Sequence, residues 1–170
     1  NIIMEALTHD NVDNNIQLAI ACYNGDVDQV KHLLENGANV NYSNKCGKTA
    51  LLSACGLHML RNYEISKLIK FEINLDIVKI LINNGADVNH KDNNGESILL
   101  HSCLSENREI VKILISSGVN IENIDKNGDT ALTFICSYKH TCEEIGELLI
   151  DSGANINYVN GYDETALIAA

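Results

Sequence analysis

The sequence predicts an all-α solenoid of stacked helix-turn-helix units with turn-rich fingers between them, and three observations predict it. Gly85 and Gly118 lie 33 residues apart, and so do Gly95 and Gly128; a fixed period in this range belongs to a repeated supersecondary unit. The apolar residues of Asp76-Ile77-Val78-Lys79-Ile80-Leu81-Ile82 form a broad helical face, as in a helix buried against two neighbours. Asp92-Asn93-Asn94-Gly95 is a turn signal, because Asn and Asp tolerate positive φ and Gly prefers it.

One unit passes into the next between Asn83 and Leu100. Gly85 stops a helix by taking the left-handed conformation that satisfies orphan carbonyls, and Ala86 and Val88 return toward the core. Ser97 is placed to cap a helix that begins with Ile98. The pieces Asn-Gly-Ala-Asp-Val-Asn (84–89), Glu-Ile-Val-Lys-Ile-Leu-Ile (109–115) and Asn-Gly-Asp-Thr-Ala-Leu (127–132) stand in the order and spacing of the ankyrin-repeat consensus, which the chain resembles. The resemblance implies a β-turn finger followed by two antiparallel helices in each repeat.

Taken in order, residues 1–10 fit no repeat piece and read as an N-terminal cap or a preceding helix. Repeat one spans 11–43, with helices expected near Ile16–Tyr23 and Val27–Asn36 and with Asn14 in the slot held elsewhere by Gly47, Gly95 and Gly128. Repeat two spans 44–91. There Gly37 and Gly85 are 48 residues apart, so fifteen extra residues fall at about 58–72, where Ile65, Leu68 and Ile69 suggest an added helical turn or two. Repeat three spans 92–124 and carries Glu106 and Asn107 where the family commonly has Gly-His. Repeat four, 125–159, is two residues longer, and a partial fifth, 160–170, puts Asp163 in the glycine slot. Ala50, Ile98, Ala131 and Ala166 replace the family's helix-initiating proline, which is helpful but not required. Solenoids need polar terminal repeats, whereas this sequence closes on Leu167-Ile168-Ala169-Ala170 and opens without Met, so an excerpt of a longer protein is expected.

The 170 residues carry a formal net charge of -11. That argues against a phosphate-neutralising nucleic-acid surface, so no nucleic acid is expected, and favours a basic or neutral protein partner. No run approaches the roughly 18 apolar residues of a membrane helix, and no signal-peptide pattern opens the chain, so no membrane partner and an intracellular location (cytoplasm or host cytoplasm, with the nucleus open) are expected. Cys22, Cys55, Cys103 and Cys136 share one repeat position, in the first helix of four successive repeats, and read as small packing residues. Equivalent positions in stacked helices lie about 8–10 Å apart, too far for a disulfide.

The sequence holds no phosphate-cradling loop, nucleophile elbow, zinc-protease motif or EF-hand. Cys136, His140 and Cys142 are soft ligands in one short segment but lack a second paired motif. His101 and Cys103 stand at i and i+2 and do not face each other on a helix. The expectation is therefore no catalytic, cofactor or metal site and no enzyme activity.

What the resemblance implies instead is protein recognition by finger tips and exposed first-helix positions lining a groove. Carried onto this sequence, these are Lys45, Lys48, Asn93, Glu96, Lys126 and Asp129 at the fingers, with Tyr23, Leu104, Tyr138, Tyr158 and Tyr162 as anchors, aromatic and apolar groups being common hot spots. The bland alternative for Leu104 and Tyr138 is that they cover a helix contact. Asn41, Asn89 and Asn157 match a position that can be hydroxylated in the family, though a backbone-bonding turn residue is the commoner role. The wording of the repeats resembles ankyrin proteins of AT-rich genomes, including large DNA viruses and intracellular parasites or bacteria. This implies an adaptor or host-interaction module, with ubiquitin-ligase machinery as partner if an F-box-like segment lies downstream. The alternative is a structural subunit packed permanently through the 58–72 insertion.

Overall fold

The computed structural model describes residues 13–55, 74–104, 107–137 and 143–170. Its helices are α1 (Asn14–Asn24), α2 (Val27–Glu35), α3 (Ala50–Ala54), α4 (Leu75–Asn83), α5 (Ile98–Leu104), α6 (Arg108–Ser116), α7 (Ala131–Ser137), α8 (Glu143–Asp151) and α9 (Ala166–Ala169). No strand forms among the described residues; one isolated antiparallel bridge joins Lys91 and Ser97.

Two rows of helices stack side by side. In the first row α1 packs on α3, α5 on α7 and α7 on α9; in the second α2 packs on α4, α4 on α6 and α6 on α8. The pairs α1/α2, α5/α6 and α7/α8 tie the rows together, giving an all-α repeat solenoid. The second-row helices bury a recurring triplet, Ile77, Val78 and Leu81 in α4 and Ile110, Val111 and Leu114 in α6. Burying each such side chain contributes roughly 1.5–3 kcal/mol. A cavity at Leu81 or Leu114, both fully buried, costs about 2–5 kcal/mol.

Local chemistry sets the helix ends. Asp26, Asn74 and Asn107 cap α2, α4 and α6 with side-chain oxygens that accept from Gln29 N, Asp76 N and Glu109 N, at 3.0, 3.0 and 3.1 Å. Asn107 also accepts from Ile110 N at 3.2 Å, which gives this departure from the family pattern a function of its own. At the other end Gly85 has φ 83° and the Ala86 N–H reaches Leu81 O at 3.0 Å, closing the helix as the sequence requires.

The expectation for Asn14 is corrected. Asn14 is the first residue of α1, and Asp13 caps it by accepting from Asn15 N at 3.0 Å, so an N-cap wins over a left-handed turn. Cys22, Cys55 and Cys103 are buried, Cys136 is half-buried, and all four are free thiols. Burial pushes the Cys22 thiol up to about 12, aided by nearby Cys55, and burial pushes Cys55 to about 12 as well. Residues 1–10, the 58–72 insertion, Tyr138, His140 and Cys142 lie outside the described residues.

Candidate functional site

Each finger is built by one side chain. Among the described residues Asn44, Asp92, Asp125 and Asn160 open four fingers, and each Oδ1 accepts two backbone N–H groups across the turn. The pairs are Cys46 and Lys48 (2.9 and 3.0 Å), Asn94 and Glu96 (2.8 and 3.1 Å), Asn127 and Asp129 (2.8 and 2.9 Å), and Tyr162 and Glu164 (2.9 and 3.0 Å). An Asx side chain that satisfies its own turn fixes the backbone without an extended sheet. Asp163 takes the glycine slot with φ 61°.

Neighbouring fingers are bonded to each other. Asn93 donates through Nδ2 to Lys45 O at 2.8 Å and through its backbone to Cys46 O at 3.2 Å. Gly161 N donates to Asn127 O at 3.1 Å, and Lys91 Nζ reaches Ile124 O at 2.9 Å. A second line of bonds runs beneath the fingers. Asn41 donates to Gly85 O at 2.9 Å while its Oδ1 accepts from Asp87 N at 2.8 Å, and Asn89 repeats this with Gly118 O and Asn120 N at 3.5 and 2.7 Å. Asn41 and Asn89 thus connect successive repeats.

The structure spreads the sequence-predicted residues unevenly. Lys45, Asn93, Lys126 and Tyr162 are exposed finger residues, with Tyr162 64% exposed. Lys48, Glu96, Tyr23 and Tyr158 are half-buried. Asp129 does not face outward: it is buried, and its Oδ1 accepts from Asn160 Nδ2 at 2.7 Å. Leu104 closes α5, and its side chain is outside those described.

Sequence reasoning missed one cluster. Asp92 and Glu96 from the second finger converge on His101 of α5, whose Nε2 lies 3.1 Å from Glu96 Oε2 and 3.9 Å from Asp92 Oδ2. The 3.1 Å approach is out of line for a hydrogen bond, and Nε2 is left buried without a partner. Burial holds the imidazole down at about 4, against the opposing pull of Asp92. Burial and the Asp92 charge raise the Glu96 carboxyl, while Lys126 and Lys48 oppose the rise. The signal that could have found it is an acidic pair inside a finger followed five residues later by a histidine in the next helix.

No helix among the described residues is long and apolar enough to cross a membrane. A family model described as ankyrin repeats in three copies matches residues 65–160, and another, described as ankyrin repeats in many copies, matches residues 18–69. No curated protein matches the chain.

Proposed function

The chain belongs to the ankyrin-repeat family, and from that premise we propose that it is a non-catalytic protein-recognition module, an adaptor or host-interaction scaffold that reads its partner with the finger row. Ankyrin repeats are in general protein-protein interaction modules. The observation that carries the reading is the hydrogen-bonded finger row itself. Four turns of one design present Lys45, Asn93, Lys126 and Tyr162 outward, on backbones tied down by their own Asx side chains. A surface ordered before binding loses little conformational entropy when a partner docks. The net charge of -11 favours a partner of basic or neutral character.

The test is site-specific photo-crosslinking in cell lysate. A reactive side chain at Tyr162 or Lys126 is expected to yield a discrete protein adduct, and one at Ile150, exposed on α8, is not. Adducts from Ile150 alone would move recognition to the second helix row and end the finger reading.

A further inference from the structure

Asp92 and Glu96 of the second finger converge on His101 of α5. Asp92 is 6% exposed and divides its work: Oδ1 holds the finger turn through Asn94 N and Glu96 N, and Oδ2 faces His101. His101 is 8% exposed, and its Nε2 stands 3.1 Å from Glu96 Oε2 and 3.9 Å from Asp92 Oδ2 with no hydrogen-bond partner. One carboxylate oxygen of each acid and one imidazole nitrogen all lie within 4.8 Å of one another. In a tetrahedral zinc site, with metal-ligand bonds of about 2.0–2.2 Å, neighbouring donors stand roughly 3.3–3.6 Å apart. The His101–Glu96 and His101–Asp92 separations of 3.1 and 3.9 Å bracket that edge.

We propose that Asp92 Oδ2, Glu96 Oε2 and His101 Nε2 form a three-donor site for Zn²⁺, in which water takes the fourth position. The Glu96 side chain is 32% exposed, so a solvent path reaches the site from that side. A neutral imidazole with two carboxylates matches the charge of a divalent ion. The nitrogen donor and the low oxygen count disfavour Ca²⁺ and Mg²⁺, which take six or more oxygens, several of them from water in the case of Mg²⁺. The backbone N–H groups on Asp92 Oδ1 supply the orienting bonds that metal-binding carboxylates require. Lys48, close enough to act on both Glu96 and His101, weakens binding. An ion here would clamp the finger to α5.

The test titrates the metal-free chain with Co²⁺ and then Zn²⁺, following the visible cobalt bands and the melting temperature. Expected are one equivalent of Co²⁺ with tetrahedral bands and no thiolate charge-transfer band, displacement by Zn²⁺, and a higher melting temperature with either ion. Outer-sphere groups alone tune metal affinity roughly 10–100-fold, so Glu96→Gln, which keeps the side chain's size at a half-exposed position, weakens binding by at least about 100-fold. His101→Ala abolishes it. If His101→Ala fails to fold, Glu96→Gln decides. No saturable binding by the parent overturns the site, and so does binding with a thiolate band or binding unchanged in Glu96→Gln, either of which places the metal on cysteine or elsewhere.

Discussion

Asn160 Nδ2 donates to Asp129 Oδ1 at 2.7 Å, with both residues buried, so the last finger is bonded by side chain to the one before it. Removing one partner leaves a buried acceptor short of a donor, which costs about 1–3 kcal/mol. Asn160→Ala also removes the acceptor of Tyr162 N and Glu164 N. The expected result is a loss of about 1–3 kcal/mol in urea unfolding. A loss below about 0.5 kcal/mol would show that water replaces the contact.

Asp163 and Gly47 occupy equivalent finger slots with φ 61° and 76°, yet they tolerate change differently. Asp visits the left-handed region at modest cost, and Gly would relieve that cost while losing more entropy on folding. Asp163→Gly should therefore stay within about 0.5 kcal/mol of the parent, and Asp163→Val should lose about 1–3 kcal/mol. Gly47→Asp should be worse than either, because a Cβ there would stand 2.5 Å from Asn93 Oδ1 and 2.6 Å from Asn93 N in the next finger. Thermal melts of the three variants give the order directly.

The same contrast shows what the sequence could convey. Gly85, Ser97 and the 33-residue period act locally, through φ, caps and apolar spacing, so the repeat architecture is legible in the sequence. Asp129 was not, since the side chain it is bonded to, Asn160, lies 31 residues away. Asn14 misled because repeat alignment placed it in a turn, whereas Asp13 offers a helix cap within two residues. The His101 cluster was hidden for a related reason: helical spacing compares His101 with Cys103, while the finger folds Asp92 and Glu96 back over it. Finger tips such as Lys45 and Tyr162 follow from repeat register, but which of them a partner touches depends on surface complementarity that no periodicity encodes.

Alkaline pH should loosen the fold through its buried thiols. Cys22 and Cys55 are raised from 9.0 to about 12 by burial, so the folded state disfavours the thiolate more than the unfolded state does. The sign follows: their contribution is complete below pH 9 and is lost as pH climbs from 9 toward 12. Urea midpoints measured across that range should fall, and Cys55→Ala should flatten the decline relative to the parent. An equal slope in both would assign the loss to other groups. At neutral pH, mass-mapped alkylation should label exposed Cys46 and leave Cys22 and Cys55 untouched until the chain unfolds.

Glu122 is the weak rung of the ladder that Asn41 and Asn89 build. At its position Glu122 Oε1 accepts from Asn155 N at 2.9 Å, as the asparagines accept from Asp87 N and Asn120 N, but a carboxylate cannot return a donor. Asn41 gives that second bond to Gly85 O at 2.9 Å. Glu122→Asn should restore both bonds and raise stability by about 0.5–1.5 kcal/mol, the usual net contribution of one hydrogen bond. The variant also removes one negative charge from a chain at -11, which alone relieves some self-repulsion. Glu122→Gln separates the two causes, because it removes the same charge on a side chain one methylene longer. If the ladder geometry matters, Asn gains more than Gln in urea midpoint. Equal gains would assign the effect to charge and leave the second bond without a measurable share.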